Sequence, residues 1–394
     1  MAFLALALTA LVWLDGAAPA RAMEKWLYYP VNLLVDENLD KLEAMFARAG
    51  KAGYTHALVA DSKFGHLGEM DARYFKNIER AKRAAAAAHI EIVPALFSIG
   101  YSNDLLYRDP NLIEGLPVKE ARFVVHNGVA VVDSRVSMRG GDFQRAKDWG
   151  WKDETMIFEN GAARAADLNG KIARVSQSLR LEPFHEYHIE VEVKAEGFQG
   201  TPEVKLLSDK DSLNEAHLGV KPTQDWKLHH VVFNSLSHTQ ANLYFGVWDG
   251  RKGSLAFRKA QISESGLVNL IRRPGAPFTA KTADGRALVE GKDFEPVRDP
   301  LMGTRPWTGE YDVWHQPPAL KTSLPDGTVL LLSYFHAVTV YDGQAMICVS
   351  EPKTIELLRD QARRVTQAWG ARGYMMEFDE IRVMNWCDAC QKRH

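Results

Sequence analysis

Between Ser134 and about Ser265 the chain loses helical periodicity, and this break constrains the architecture more than any other feature. Short runs of alternating apolar and polar residues take over, most plainly in Tyr187–Ala195 (YHIEVEVKA), where every second residue is apolar. Trp226–Phe233, Leu243–Val247 and Leu255–Ile262 continue the pattern, with turns at Asp249-Gly250 and Lys252-Gly253. The block predicts an antiparallel β-sandwich of jelly-roll size, set into a chain of another class.

The flanks carry that other class. Trp26–Val31, His56–Ala60 and Ile90–Phe97 are apolar strand candidates. Between them lie a helix with Leu39, Leu42, Met45, Phe46 and Ala49 at three- and four-residue spacing and a second helix from Asp71 to His89. Strand, helix, strand, helix, strand at this spacing implies parallel pairing with right-handed crossovers. The stretch after the first strand, VNLLVDEN, has no glycine-rich loop to cradle a pyrophosphate. A barrel is therefore favoured over a dinucleotide-binding sheet, and no cofactor is expected. Thr328–Phe335 (TVLLLSYF) reads as a further buried parallel-type strand, or as part of the insert. The helix Pro352–Trp369, with Ser350 as its cap, presents Ile355, Leu358, Ala362, Val365 and Trp369 to the sheet.

The expected fold class is thus α/β, a (β/α)8 TIM-type barrel interrupted by a β-sandwich. Residues 1–22 are an export signal, 23–133 the first part of the barrel, 134–268 the insert, and 269–394 a hairpin, a loop and the second part of the barrel. Such barrels take about 250 residues and eight strands, whereas the flanks supply at most five, so the C-terminal part of the barrel is expected to be missing and the chain to behave as a fragment. The signal rests on an apolar run from Phe3 to Leu14 and an Ala20-Arg21-Ala22 cleavage site, which predicts a secreted or periplasmic protein without a membrane span in its mature form. With 48 basic and 50 acidic residues there is no positive field for nucleic acid or an anionic membrane, and the partners are expected to be neutral or small.

The chemistry is expected near the end of the chain. Tyr374, Met375 and Met376 lead into Glu377, Asp379 and Glu380, then Arg382, Trp386 and a Cys387-x-x-Cys390 pair. An unpaired carboxylate on a buried strand is costly, but at the carboxyl end of a barrel strand it opens into a solvent-filled cup. Asn32, Asp61, Lys63, Ser98 and Tyr101, all just after strands, would ring that cup, and Tyr334 and His336 would enter it from TVLLLSYF. Strand alternation pairs Glu377 with Asp379 and puts Glu380 on the other face. A salt-bridge cluster at a helix start is the alternative. The Cys387/Cys390 pair is compatible with half a zinc site, a tight disulfide or two inert thiols. Structural zinc usually takes four ligands, Cys348 and His394 are the further donors in view, and no metal is assigned.

An apolar strand ending in Asp379-Glu380, preceded by an amphipathic helix opening with Ser350-Glu351-Pro352, resembles the catalytic strand of glycoside hydrolase family 20, the β-N-acetylhexosaminidases. That resemblance implies Glu380 as the general acid and Asp379 as the group orienting the substrate acetamido. The barrel reading itself adds Glu377, Arg382, Trp386, Asp61, Tyr101, Tyr334 and His336 as expected substrate contacts around the cup. The landmarks Gly141-Asp142-Phe143, Trp149, Trp151, Gln177-Ser178-Leu179, Trp226 and Gly246-Val247-Trp248 resemble carbohydrate-binding modules with a galactose-binding-like fold. They imply sugar platforms at Trp149, Trp151, Tyr244 and Trp248, because pyranose C–H faces lie flat on aromatic rings. The expected function is acid-catalysed cleavage of O-glycosidic bonds in an oligo- or polysaccharide. The alternative is a non-catalytic carbohydrate-binding or surface protein on the same scaffold.

Overall fold

The computed structural model describes residues 23–393 apart from 167, 210, 215, 216, 304–310, 340–342 and 379. The expected signal 1–22, Asp379 and His394 lie outside the described residues.

Strands β1 (Trp26–Pro30), β2 (His56–Ala60) and β3 (Glu91–Leu96) lie parallel in chain order, and β20 (Met375–Met376) pairs in parallel with β3. The connecting helices α1 (Asp36–Lys51), α2 (Ala72–Ala87) and α5 (Pro352–Trp369) share one face of this sheet. Phe46, Tyr74, Ile78, Val365 and Trp369 meet Ala57, Val59 and Leu96 there in a single core. Right-handed crossovers along an order that never reverses put every helix on the same side, whereas a dinucleotide-binding sheet reverses and is covered on both faces. The opposite face carries the exposed rings of Trp26 and Tyr28. Among the described residues a four-stranded sheet, β1-β2-β3-β20, therefore stands where a closed eight-stranded barrel is expected. On α5 the buried stripe is Thr354, Leu357, Gln361, Val365 and Trp369, so Ile355, Leu358 and Ala362 flank it, and Glu351 takes the cap position expected for Ser350. Three short helices, α3 (Asn103–Leu106), α4 (Pro300–Gly303) and α6 (Asp388–Gln391), lie in the connections. Among the described residues no helix is long and apolar enough to cross a membrane.

A six-stranded antiparallel sheet follows, built from β4 (Gly115–His126), β5 (Val129–Val132), β16 (Thr279–Thr282), β17 (Ala287–Leu288), β18 (Leu320–Lys321) and β19 (Val329–Ala337) in the order β17-β16-β19-β4-β5-β18. Two expectations are corrected here. Residues 115–132 belong to this sheet and not to the first part of a barrel, and TVLLLSYF runs antiparallel to β4, from Val329 opposite Val124 to Ala337 opposite Gly115. A strand covered on both faces is apolar throughout whichever way its neighbours run, so its composition does not report direction.

Two five-stranded antiparallel sheets form the sandwich. One is β7 (Met156–Glu159), β8 (Ala162–Ala165), β10 (Glu186–Gln199), β13 (Gln224–Asn234) and β15 (Lys252–Glu264), in the order β13-β10-β15-β8-β7. The other is β6 (Trp151–Lys152), β9 (Lys171–Arg180), β11 (Pro202–Ser208), β12 (Asp211–Ser212) and β14 (Gln240–Gly250), in the order β12-β11-β14-β9-β6. Val175, Ile189, Val191, Phe233, Leu243, Phe245 and Phe257 interdigitate between them. The chain enters and leaves this unit at one place, where the Glu264 amide donates to the Ser134 hydroxyl (2.9 Å).

Candidate functional site

On β14 and β9 the odd-numbered residues from Ala241 to Val247 and from Ala173 to Leu179 enter the sandwich core, and the even-numbered ones face outward. A cross-strand row results, in which Lys205 lies opposite Tyr244, Tyr244 opposite Ser176, and Ser176 opposite Trp151. Three strand spacings of about 4.8 Å make this row roughly 14 Å wide. Trp151 is 44% exposed, and Tyr244 and Trp248 are half-buried with their rings 6.1 Å apart. Arg174 lies between the two indoles, 5.1 Å from the Trp151 ring and 5.5 Å from the Trp248 ring, and Asp153 anchors its Nε at 3.1 Å. Gly246 makes that placement possible, since a Cβ there would come within 2.7 Å of Arg174 Cγ. Lys205 reaches the Trp248 ring at 5.8 Å and pairs with Glu203 at 3.3 Å. Cations over indole faces hold the rings in place at the cost of little mobility. The face thus offers three aromatic surfaces interleaved with guanidinium, ammonium, carboxylate and hydroxyl groups.

Of the four expected platforms, this geometry brings together Trp151, Tyr244 and Trp248. Trp149 is corrected to a core residue. It is 5% exposed, stacked on Phe143 at 5.0 Å and edge-on to Phe245 at 5.7 Å. A short helical turn at Ala146–Asp148 precedes it, so the strand alternation that aims Trp151 outward does not extend back to it.

The strand ends of the parallel sheet form a second site, a cleft of about 490 Å³ lined among others by Asn32, Lys63, Ser98, Tyr101, Asp104 and Glu377. After β3 the backbone turns sharply through Phe97, at φ +61°, and Ile99 N–H donates to the Glu377 carbonyl (3.0 Å) while Glu377 N–H donates to Leu96 (2.8 Å). Bulky residues seldom adopt this left-handed conformation, and it occurs where surrounding structure imposes it. On α3, Asp104 accepts a 2.6 Å hydrogen bond from Ser98. Burial pushes its carboxyl up to about 7 despite hydrogen bonds that favour the ion, and the nearby Glu377 adds to the rise.

The remaining expected site residues lie elsewhere or are otherwise engaged. Asp61 lines the cleft, and it accepts from Leu33 N–H (2.9 Å), the Tyr74 hydroxyl (2.8 Å) and Lys63 N–H (3.0 Å), which fastens the strand end to α2. Glu380, at φ +51°, is exposed and 3.4 Å from Arg382, and neither lines the cleft. Trp386 packs against Phe184 of the sandwich, ring centroids 6.4 Å apart. Tyr334 and His336 are buried where the six-stranded sheet meets the sandwich. The Tyr334 hydroxyl donates to Gly266, and His336 lies 3.1 Å from Glu186. Burial drives the Glu186 carboxyl above the usual range, and His336 opposes that rise. Both residues face inward because a second unit packs on their strand, which nothing local in the sequence signals. Asp104 was not anticipated; a polar residue closely following a strand end was its only signal.

Among the described residues two groups bring metal-ligating side chains together: Glu114 with Cys348, Cys387 and Cys390, and His188 with Glu190 and His230. In the second group, His188 stacks on Trp314 at 3.6 Å and shares a 2.8 Å hydrogen bond with His230, and burial pushes its imidazole down to about 3. Aromatic packing accounts for that group.

No protein-family profile and no curated protein matches the chain. Solved structures do. A family 4 carbohydrate-binding module aligns over 30% of this chain and 83% of its own at 19% identity, with a TM-score of 0.21. A family 61 module in complex with β-1,4-galactotriose aligns over 28% of this chain and 84% of its own at 16% identity, TM-score 0.20. A family 29 module aligns over 39% and 91% at 13% identity, TM-score 0.19.

Proposed function

We propose that the protein binds glycans through the outer face of its sandwich, and that it does so as an exported protein. One observation carries this reading: Trp151, Tyr244 and Trp248 stand on a single exposed sheet face, with Arg174 and Lys205 set over the indoles. A pyranose places its C–H faces on aromatic rings and its hydroxyls at their edges. Here the rings lie beside Arg174, Lys205, Glu203 and Ser176, which supply donors and acceptors for those hydroxyls. A row roughly 14 Å across fits a short stretch of oligosaccharide better than a single sugar. The test is retardation of the full chain in gels containing soluble polysaccharides. Trp151→Ala and Trp248→Ala are each expected to weaken binding at least about 10-fold, equivalent to about 1.4 kcal/mol. Binding unaffected by both substitutions, or no retardation by any polysaccharide, would refute the proposal.

A second reading, glycoside cleavage at the strand-end cleft, draws support from Asp104. A carboxyl that keeps its proton to about 7 beside the carboxylate-bearing Glu377 has the pairing that acid-catalysed cleavage uses, one group donating to the leaving oxygen and the other stabilising the sugar cation or activating water. In this reading Asp104 is the acid and Glu377 its partner, and Glu380 has no catalytic role. Asp104→Asn is expected to lower turnover of aryl glycosides with poor leaving groups by at least about 100-fold, and full turnover in that variant would remove the role.

A further inference from the structure

We infer that Glu114, Cys348, Cys387 and Cys390 form a structural zinc site that fastens the last described turn of the chain to the body of the protein. The residues come from three distant stretches. Ile113 and Ile347 face each other in an antiparallel bridge, with Glu114 N–H donating to Met346 and Cys348 N–H to Leu112, both at 2.7 Å. Glu114 and Cys348 are therefore diagonal neighbours on one face of that bridge. Cys387 and Cys390 arrive on the turn that opens α6, closed by Cys390 N–H donating to the Cys387 carbonyl (3.0 Å).

The distances have the dimensions of a tetrahedron. Cys348 Sγ lies 3.5 Å from Cys387 Sγ and 3.7 Å from Cys390 Sγ, and Cys390 Sγ lies 3.2 Å from Glu114 Oε2. All four ligand atoms fall within 4.8 Å of one another. Zinc bonds of about 2.3 Å to sulfur and about 2.1 Å to oxygen set tetrahedral edges of about 3.8 Å between sulfurs and about 3.6 Å from sulfur to oxygen, so these three separations lie within about 0.4 Å of a tetrahedral arrangement. A disulfide needs sulfurs about 2.05 Å apart and would use two of the three thiols.

Every one of the four residues is buried. Burying a carboxyl and three thiols in one apolar pocket is costly unless something satisfies them together. Arg273, which faces Cys387, is already ion-paired with Glu351, both side chains being almost wholly buried, and donates to the Ile113 carbonyl (3.0 Å). It serves as an outer-shell group, and the Cys387 amide, donating to Glu114 Oε1 (3.1 Å), fixes the carboxylate's orientation. Four protein ligands and no solvent-facing side make the site closed, which is the structural and not the catalytic form. Soft thiolates with one carboxylate select zinc over calcium or magnesium.

The experiment uses the full chain produced with zinc in the medium. Elemental mass spectrometry is expected to find about one zinc per chain, and replacement by cobalt(II) to give thiolate-to-metal charge-transfer absorption with tetrahedral d–d bands. Cys387→Ser and Glu114→Ala are expected to lower zinc affinity by more than the about 10- to 100-fold that loss of an outer-shell partner costs. If those variants do not fold, the cobalt spectrum of the unaltered chain decides. Substoichiometric metal after zinc supplementation, or peptide mapping that finds Cys387 disulfide-bonded to Cys348 or Cys390, would overturn the site.

Discussion

Asp104 holds a proton where an exposed aspartate has long lost one, and the consequence extends beyond the cleft. Its carboxyl titrates at about 7 in the folded chain against an ordinary 3.8, because burial disfavours the ion more than the Ser98 hydroxyl and the local amides favour it. A folded-state value raised above the unfolded one means stability that is complete below about pH 4 and lost as pH rises through about 7. The loss is on the order of a few kcal/mol at most. Urea unfolding of Asp104→Asn at several pH values between about 4 and 8 should therefore show a shallower decline than the unaltered chain, since the amide keeps the neutral form throughout. An identical slope in the two proteins would place the proton elsewhere. Trp149 and Trp151 teach the complementary lesson about single residues. The same side chain two positions apart is core in one case and surface in the other, and only the end of strand β6 separates them.

At the level of elements, the strands and helices that bury one face in a regular period were readable. The stripe Leu39, Leu42, Phe46 and Ala49 on α1, the strands of the parallel sheet, and the alternation of Tyr187–Ala195 all follow from apolar spacing. The β4–β5 hairpin was equally readable and overlooked. Asn127-Gly128, at φ +50° and +75°, is a two-residue turn between runs of alternating residues, and His126 pairs with Val129 across it. The direction of β19 was not readable, since antiparallel and parallel partners bury the same Leu330, Leu332 and Tyr334. The candidate sites divide in the same way. Trp151, Tyr244 and Trp248 were visible as aromatics on strands, whereas the meeting of Glu114 with Cys387 and Cys390 spans more than two hundred residues of chain and has no local signature.

On the scale of the whole molecule, the sandwich is a guest with its own core. Every buried residue of that core lies between Phe143 and Ala260, and the chain passes in and out beside Ser134 and Glu264. Its ties to the six-stranded sheet are mainly polar, among them Asn234 to the Pro117 carbonyl (3.0 Å) and to His336 (3.0 Å), Lys119 N–H to Phe184 (2.9 Å), His185 to the Lys119 carbonyl (3.1 Å), the Tyr334 hydroxyl to Gly266, and the Glu186–His336 contact. A unit with its own core and with its ends next to each other should fold when excised. Residues 134–268 alone are expected to give a β-rich circular dichroism spectrum and a single cooperative melt. The excised unit also lacks the sheet that buries Glu186. In the intact chain that carboxyl's raised titration favours the folded state at low pH, a contribution lost as pH rises through the folded-state value. Melting temperatures of Glu186→Gln in the intact chain should therefore fall less as pH rises above about 4.5 than those of the unaltered protein, since the amide stays neutral throughout. A disordered spectrum would show that the core depends on its host, and an equal fall with pH would show that Glu186 is not the group responsible.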